Sequence, residues 1–395
     1  MTVLQLKEEF EKRFGKGGQL RVFASPGRVN MIGEHTDYNG GYVFPAALTM
    51  KTTIIYRQRN DNIIRMMATD LPDLVEADIN NLENYKDLKW GNYQIGVAHV
   101  MQKAGFTIKG CDMLYDDTTP HGSGLSSSAA IEVATALAFA TASNEEKGIK
   151  DSVDMIELAK LSQQAEHEYI GVKCGIMDQF ASAMGKKNHA IFLDCKTLDY
   201  KLVPLDIKGY RIVISNTNKK HSLGASKYNE RRSECEQAVE TLKKSLPGIT
   251  CLADVSPADF EKYAGTIENE TVRRRAQHVI YEIDRVLKSV DALEKNNIAQ
   301  FGQLMNGSHD SLRDLYEVSC VELDTLVEEA RKIEGTIGSR MTGAGFGGST
   351  VSIVKEECVD EFIDKVGKAY EEKIGYTASF YVSEIGDGGR ELSPE

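Results

Sequence analysis

Four side chains with acid–base or hydrogen-bonding chemistry fall close together in residues 26–41, which read PGRVNMIGEHTDYNGG. Arg28, Glu34, His35 and Asp37 lie within ten residues, and the Pro and Gly residues around them disfavour a regular helix or strand. Carboxylates accept hydrogen bonds from hydroxyl groups, and a guanidinium offsets negative charge. The segment therefore favours a loop that binds a small polar ligand, although a solvated turn is compatible with the same composition.

A second candidate is the glycine- and serine-rich stretch of residues 119–133, TPHGSGLSSSAAIEV. Gly122 and Gly124 allow positive φ, and the Ala-rich run after the serines predicts a helix. A helix that begins at such a turn directs free N–H groups and its positive dipole end at one spot, which favours phosphate. A buried helix with an irregular entry is an equal alternative. The chain has no Gly-Lys-Ser/Thr, and Ser127 stands where a Rossmann fingerprint has its third Gly.

A third glycine-rich stretch, MTGAGFGGSTVSIV, covers residues 341–354. Four glycines fall within six residues, immediately before a strand-like run, and each costs backbone entropy on folding. A single β-turn needs only one or two glycines. We therefore expect close backbone packing here, around a ligand or around the second loop.

Two carboxylates stand out in residues 165–185, AEHEYIGVKCGIMDQFASAMG. Asp178 follows Gly175 in an otherwise apolar segment, so it is either a helix cap or a site residue. Glu166 is near the end of an amphipathic helix and, taken alone, is typical of a solvated helical residue. Two other stretches give weaker signals. Arg231 and Arg232 are typical of a solvated helix face, and His309 is typical of a structural hydrogen-bonding residue.

Periodicity predicts a mixture of strands and helices without a strict βαβ rhythm, which favours an α+β fold over a doubly wound sheet. Strands are predicted at residues 20–25, 52–57, 189–193, 210–215, 349–354 and 377–382. Helices are predicted at residues 93–103, 126–142, 153–169, 225–244, 271–295, 321–332 and 359–373.

Length and composition indicate a globular chain of two lobes. A chain of 395 residues exceeds a typical single core, and we predict an N-terminal lobe of residues 1–205 and a C-terminal lobe of residues 206–395. The last segment could pack back on the N-terminal lobe. The net charge of −12 argues against nucleic acid or an anionic membrane as the main partner. The seven cysteines are scattered without a CxxC pair, and the amphipathic N-terminus is unlike a signal peptide, so we expect a cytoplasmic protein.

Together and in this order, the motifs resemble those of the galactokinases, within the superfamily of galactokinase, homoserine kinase, mevalonate kinase and phosphomevalonate kinase. GRVNMIGEHTDYNGG is similar to the galactokinase signature, and GSGLSSSAA and TGAGFGGS resemble the superfamily's phosphate-binding and third motifs. CGIMDQ, YNERRSEC and SHDSLRDLYEVSC also resemble galactokinase segments, so the likeness covers nearly the whole chain. Two departures, Met31 for Leu and Gly307 for a larger residue, touch no catalytic position that the resemblance implies.

The resemblance implies an N-terminal lobe of the ribosomal S5 domain 2-like type and a ferredoxin-like C-terminal lobe, with ATP and sugar meeting between them. It implies transfer of the γ-phosphoryl group of ATP to the anomeric hydroxyl of α-D-galactose, the first committed step of the Leloir pathway, with Mg²⁺ as the metal. We further expect a monomer, with a weak dimer as the alternative.

The resemblance also implies roles for individual residues. Asp178 would face the C1 hydroxyl of the sugar, and Arg28 would be its cationic partner; whether Asp178 removes a proton or mainly orients stays open. The sugar contacts implied are Glu34, His35, Thr36, Asp37, Gly175 and Tyr228. The phosphate loop implied is Gly122, Ser123, Gly124, Leu125, Ser126, Ser127 and Ser128. Ser128 and Glu166 would be the Mg²⁺ ligands, which reverses the solvated interpretation of Glu166.

Two alternatives remain. A kinase for a related sugar, such as N-acetylgalactosamine, would differ in the pocket around C2. A sensor that binds ATP and galactose and acts through protein contacts belongs to another class. Such inducers lack a dipeptide at the phosphate loop, and the intact Ser128 and Ala129 favour catalysis.

Overall fold

The computed structural model describes residues 1–88, 90–205, 207–220 and 224–393. Within these ranges the strands are β1 (Arg21–Asn30), β2 (Tyr42–Val43), β3 (Pro45–Gln58), β4 (Ile63–Ala68), β5 (Val75–Asp78), β6 (Cys111–Asp117), β7 (His189–Asp194), β8 (Tyr200–Pro204), β9 (Tyr210–Asn216), β10 (Thr336–Thr342), β11 (Ser349–Lys355), β12 (Ser379–Ser383) and β13 (Arg390–Leu392). The helices are α1 (Val3–Phe14), α2 (Asn92–Lys103), α3 (Ser127–Glu146), α4 (Met155–Ala165), α5 (Met177–Met184), α6 (Gly224–Leu242), α7 (Pro257–Tyr263), α8 (Glu270–Glu294), α9 (Ile298–Ser311), α10 (Val321–Arg331) and α11 (Val359–Ile374).

The first sheet has the strand order β13-β1-β3-β6-β4-β5 and forms the frame of the N-terminal lobe. Its pairs are antiparallel except for β4 and β6, which run parallel. Helix α3 packs against β1 and β3 and also against α2, α4 and α5. Its Ala-rich sequence is buried on nearly every side, so it can lie close to the sheet. The helix therefore begins at a fixed position next to β1.

The second sheet, in the order β10-β11-β9-β12, is antiparallel throughout and belongs to the C-terminal lobe. Helices α10 and α11 pack together and contact this sheet. A third, small sheet joins β2, β7 and β8. Among the described helices, none is long and apolar enough to cross a membrane.

The two lobes share part of their apolar core. One buried cluster joins Val29 and Phe44 near the first sheet to Ile214, Phe301 and Val351 of the C-terminal lobe. Burial of apolar side chains stabilises the contact by roughly 1.5 to 3 kcal/mol for each large residue. The loops at this junction are consequently held by packing from both sides.

The predicted α+β, two-lobed architecture is confirmed, and each predicted strand and helix corresponds to an observed one with shifted ends. The expectation that residues 26–41 avoid regular structure is wrong for the first five of them. These residues continue β1 to Asn30, with a register shift between Pro26 and Arg28. The boundary residue 206 of the predicted lobes lies outside the described residues.

Several elements were not predicted, and β6 shows why. Its sequence CDMLYDD contains three Asp residues, which are unfavourable in strands. Asp112 is nevertheless buried, because Arg57, Arg59 and Arg65 donate hydrogen bonds to it at 2.7 to 3.3 Å. Three distant arginines, which no local pattern connects to Asp112, thus compensate the buried carboxylate.

Candidate active site

A cavity of about 260 Å³ opens where the end of β1 meets the C-terminal lobe. Its lining includes nine of the predicted site residues, whereas Thr36 and residues 122–127 are not part of it. The lining residues are Arg28, Glu34, His35, Asp37, Tyr93, Ser128, Glu166, Val172, Cys174, Gly175, Met177, Asp178, Gln179, Tyr228, Gly343 and Ala344.

Arg28 and Asp178 form an ion pair at one end of the cavity. The Nε of Arg28 donates to Oδ1 of Asp178 at 2.7 Å, and its Nη1 donates to the carbonyl of Gly124 at 2.8 Å. Burial alone would lower the pKa of Arg28, but the charges of Asp178 and Glu34 outweigh it and raise the pKa. The cap interpretation of Asp178 is wrong, because α5 has no side-chain cap and this carboxylate faces Arg28.

The glycine- and serine-rich loop makes the left-handed turn that its sequence predicts. Gly122, Gly124 and Ser126 have φ values of 69°, 74° and 60°, and α3 begins directly after them without a side-chain cap. The Ser126 hydroxyl donates to Oδ2 of Asp178 at 2.7 Å, and the Ser127 hydroxyl donates to Asp117. The loop therefore offers uncapped helical N–H groups close to the Arg28–Asp178 pair.

The third glycine-rich stretch packs against this loop, which is one of the two alternatives that its sequence predicts. The Ser349 hydroxyl donates to the carbonyl of Ser123 at 2.6 Å. A Cβ added to Gly343 would lie 2.9 Å from the carbonyl oxygen of Gly124, so only glycine allows the approach. The two backbones from different lobes are thus in direct contact.

Glu34 is paired with Arg340, a residue that the sequence interpretation missed. The Arg340 Nη2 donates to Glu34 Oε2 at 2.9 Å, and both side chains are essentially inaccessible, at 0% and 1% exposure. Asn30 Nδ2 and the Gly343 backbone N–H also donate to this carboxylate, each at 2.9 Å. Burial raises the pKa of Glu34, and Arg340 and Arg28 partly offset the increase. The position of Arg340, just before the third glycine-rich stretch, is the one signal that sequence offers.

His35 has a left-handed backbone, with φ of 62°, and both ring nitrogens contact protein atoms. Nε2 lies 2.9 Å from the carbonyl oxygen of Ala344, and Nδ1 lies 2.7 Å from the Tyr38 hydroxyl. Burial lowers the pKa of His35 to about 4, so the ring is neutral at pH 7. Thr36 lies beside it, but its hydroxyl donates to the carbonyls of Gly33 and Tyr42.

Asp37 lies on the same wall of the cavity, next to Gly175. Its carboxylate accepts from the backbone N–H groups of Tyr38 at 3.0 Å and Met177 at 3.3 Å. Burial and then the charge of Asp178 raise the pKa of Asp37 to about 6. A Cβ on Gly175 would lie 1.9 Å from Asp37 Oδ2, so the position requires glycine.

Glu166 is buried, at 7% exposure, at the start of a π-helical turn that follows α4. Its carboxylate is hydrogen-bonded to Ser128, and burial next to Glu132 raises the pKa of both carboxyl groups. Gln179 Nε2 donates to both carboxylates, at 3.1 and 3.4 Å. One oxygen of Glu132 and the amide oxygen of Gln179 have no hydrogen-bond partner. The solvated interpretation of Glu166 is therefore wrong.

These oxygen donors fit a hard cation such as Mg²⁺, which binds through one or two protein ligands plus substrate phosphates and water. Among the described residues, no group of three or more His, Cys, Asp and Glu side chains is arranged to enclose a metal by itself. An all-protein cage is consequently not what this site offers, whereas a metal shared with phosphate groups is compatible with it.

Two peripheral predictions, those for Arg231 and His309, have clear outcomes. Arg231 is buried, at 6% exposure, and donates to the carbonyls of Tyr316 and Glu317, so the solvated interpretation is wrong for it. His309 is a structural hydrogen-bonding residue, as predicted, and contacts Asp324 and the backbone N–H of Met341.

Three family models match the chain in the order of its lobes. Residues 8–58 match the galactokinase galactose-binding signature, residues 92–186 the N-terminal domain of the GHMP kinases, and residues 289–372 the C-terminal region of the GHMP kinases. The galactokinase of Bacillus subtilis is 49% identical over 394 residues, covering 99% of both chains. That of Clostridium acetobutylicum is 48% identical over 396 residues, covering 100% of both.

Solved structures agree with these matches. The structure of Lactococcus lactis galactokinase complexed with galactose superposes with a TM-score of 0.95 at 42% identity, covering 99% of this chain and 100% of that one. A mevalonate kinase covers 93% of this chain at 18% identity, with a TM-score of 0.62, and supports the fold alone. The fold and the cavity thus define a small-molecule kinase of the GHMP class. Within that class, the chain belongs to the galactokinase family.

Proposed function

We propose that the chain catalyses ATP-dependent phosphorylation of α-D-galactose at the anomeric hydroxyl, producing α-D-galactose 1-phosphate and ADP, the first committed step of the Leloir pathway. The observation that carries this proposal is the Arg28–Asp178 pair, which borders one cavity together with Glu34, His35 and Asp37. A phosphate-binding helix start and a sugar-binding wall thereby meet at one ion pair.

The sugar lies against the wall that Glu34, His35, Asp37, Gly175 and Tyr228 form. Ionised carboxylates accept hydrogen bonds from sugar hydroxyls, and paired acceptors distinguish an axial from an equatorial hydroxyl. The backbone N–H of Gly175 is an additional donor. Thr36 contributes to sugar binding indirectly, because its hydroxyl donates hydrogen bonds to backbone carbonyls of the same loop and so stabilises the loop.

Asp178 faces the C1 hydroxyl and accepts its hydrogen bond. As the bond between O1 and the γ-phosphorus forms, the bond to the β,γ-bridging oxygen breaks and ADP leaves, while the hydroxyl proton passes to Asp178. Arg28 balances the charge of Asp178 and offsets charge on the transferring phosphoryl group. Whether the proton moves early or late does not alter this assignment of groups.

ATP binds with its phosphates at residues 122–128, where the start of α3 provides uncapped N–H groups and a positive dipole end. Ser128 and Glu166 would hold Mg²⁺ between them and the phosphates. When bound, Mg²⁺ neutralises phosphate charge and aligns the transferring group. We further propose a monomer located in the cytoplasm, where its seven cysteines, all free in the structure, would stay reduced.

A side-by-side assay of ADP release with a panel of sugars tests this function. With Mg-ATP, galactose should support turnover at least about a hundredfold faster than glucose or N-acetylgalactosamine. The inverted hydroxyl of glucose, or the acetamido group that replaces the C2 hydroxyl of N-acetylgalactosamine, would leave a buried polar group unpaired. Preferred turnover of N-acetylgalactosamine would favour the related-sugar kinase. Galactose binding without turnover would favour the sensor, although the Ser128–Ala129 dipeptide, which is intact in this chain and absent from such sensors, argues against it.

A further inference from the structure

The His35 ring is held by the protein at both nitrogens, which determines where its proton lies. The carbonyl oxygen of Ala344, 2.9 Å from Nε2, can only accept a hydrogen bond, so Nε2 carries the proton. Because the buried ring is neutral, Nδ1 then has a lone pair and no proton. The Tyr38 hydroxyl, 2.7 Å from Nδ1, must therefore be the donor in that hydrogen bond.

The same logic continues away from the cavity. The Tyr38 hydroxyl has one proton and donates it to His35. Its oxygen therefore accepts a hydrogen bond from the Tyr316 hydroxyl at 2.6 Å. Tyr316 in turn has no proton left for its other neighbour, the thiol of Cys235, whose sulfur lies 3.2 Å away. The thiol is consequently the donor, and the hydrogen bonds run in one direction from Cys235 to the carbonyl of Ala344.

This series of hydrogen bonds connects four separate segments of the fold. Cys235 lies in α6, Tyr316 in the π-helical turn after α9, Tyr38 and His35 in the loop after β1, and Ala344 in the third glycine-rich stretch. Tyr316 and Cys235 are essentially fully buried, at 0% and 1% exposure.

The hydrogen-bond series ends at the sugar side of the cavity. His35 and Ala344 both line the cavity, and the Tyr228 ring packs against both His35 and Tyr38, with centroid distances of 5.5 and 5.2 Å. His35 also has a left-handed backbone, which costs about 1 kcal/mol or more and persists only where surrounding contacts over-determine it. A rigid His35 therefore requires these contacts.

We propose that Tyr38 and Tyr316 are positioning residues for sugar binding, which act by fixing the tautomer and orientation of His35. The proposal rests on the proposed function for its kinetic readout only. Neither tyrosine is needed to hold the nucleotide, because the hydrogen-bond series ends on the sugar side of the cavity. Loss of the donors should weaken sugar binding and leave ATP binding unchanged.

The variant Tyr38→Phe tests the last donor, since it removes the hydroxyl and keeps the ring packed on Tyr228. We expect the KM for galactose to rise about tenfold, as the loss of one buried hydrogen bond implies, and the KM for ATP to stay within about twofold. Tyr316→Phe should have a smaller effect in the same direction, because Tyr38 can still donate to His35. Cys235→Ser, which retains a donor, should remain close to the parent.

Tyr115→Phe is the matched control, because Tyr115 is also buried, its hydroxyl is hydrogen-bonded to Thr135 at 2.9 Å, and neither residue lines the cavity. This variant should lose stability without a change in the KM for galactose. A merely structural role for Tyr38 would make the two variants alike, or would raise both KM values of Tyr38→Phe together.

Long-range ¹H–¹⁵N spectra of histidine-labelled protein give a second readout that needs no substrate. His35, assigned by its absence in His35→Gln, should show protonated Nε2 and hydrogen-bonded Nδ1, and in Tyr38→Phe the Nδ1 resonance should move toward that of a free imidazole nitrogen. An unmoved resonance, or an unchanged KM for galactose, overturns the proposal. Absence of galactose turnover in the parent would refute the proposed function instead, and the spectra would still decide on the chain of donors.

Discussion

The Nε of Arg28 lies 2.7 Å from Oδ1 of Asp178, although the two residues are 150 positions apart in the chain. Arg28 is buried, at 3% side-chain exposure, while about a third of the Asp178 side chain is accessible from the cavity. The cation is therefore fixed in the fold, and the carboxylate is the member that a ligand can reach.

Asp178→Asn should reduce kcat by roughly a thousandfold, because an amide neither accepts the proton nor balances Arg28 in the transition state. ATP binding should change little, since the phosphate loop keeps its backbone. A fixed-time assay of ADP release measures kcat, and a titration with nucleotide measures ATP binding. Asp61→Asn, which removes the partner of Arg59 in an exposed pair, is the control. Residual kcat within tenfold of the parent would exclude Asp178 from the transfer step.

Arg340→Met should destabilise the protein by about 3 to 5 kcal/mol, because it leaves the Glu34 carboxylate buried without its cation. Urea unfolding followed by fluorescence measures the change in the free energy of unfolding. The double variant with Glu34→Gln should lose less than the sum of the single losses, since the uncompensated charge is then gone. Additive losses would argue that the two residues do not interact.

The raised pKa of Asp37, about 6, predicts that the KM for galactose increases as the pH falls below 6. A protonated carboxyl carries an O–H donor and has less acceptor capacity for sugar hydroxyls, so the KM should rise up to about tenfold per pH unit. In Asp37→Asn the KM should be high and nearly independent of pH between 5 and 7. A parent profile that stays flat in this range would contradict the role of Asp37.

The same group also affects stability, with a definite sign. The folded chain binds the Asp37 proton more tightly than the unfolded chain, whose carboxyl titrates near about 4. Stability should therefore fall as the pH rises from about 4 to 6, by up to about 3 kcal/mol, and Asp37→Asn should remove that part of the dependence. Since Glu34, Glu132 and Glu166 shift in the same direction, the difference between parent and variant isolates Asp37.

Removal of divalent cations with EDTA should abolish turnover, and added Mg²⁺ should restore it. Glu166→Gln should raise the Mg²⁺ concentration for half-maximal rate at least about tenfold, because the amide is a weaker ligand for a hard cation. Mn²⁺ binding followed by EPR in the presence of ATP gives a readout independent of rate. Glu168→Gln, an exposed carboxylate two residues further on, should behave like the parent. Identical metal requirements of the two variants would remove Glu166 from the metal site.

Sequence predicted the parts of this site whose chemistry is local. The left-handed turn before α3 follows from Gly122 and Gly124, and the contact of the third glycine-rich stretch with that turn follows from its four glycines. Neither Arg340 nor Tyr316 could be predicted in this way. Each is an ordinary strand or helix residue until the fold places it against Glu34 or Tyr38, more than 270 positions away.

Asp112 and Glu166 illustrate a second limit. Burial of an acidic residue depends on partners that arrive from other elements, so pattern alone assigns such a residue to the surface. For Glu166, only the family resemblance indicated that the side chain is not solvated. In the structure its carboxylate lies next to Glu132, and the amide of Gln179 donates hydrogen bonds to both carboxylates.

Strand β13 completes the edge of the first sheet by pairing with β1 through residues Val22 to Ala24. During translation the N-terminal half emerges from the ribosome long before residues 390–392. The edge of β1 that pairs with β13 therefore stays unpaired while the C-terminal half is synthesised. An open strand edge invites pairing with other chains. Premature termination before residue 390 would thus leave an aggregation-prone product even if every group around the cavity were already in place.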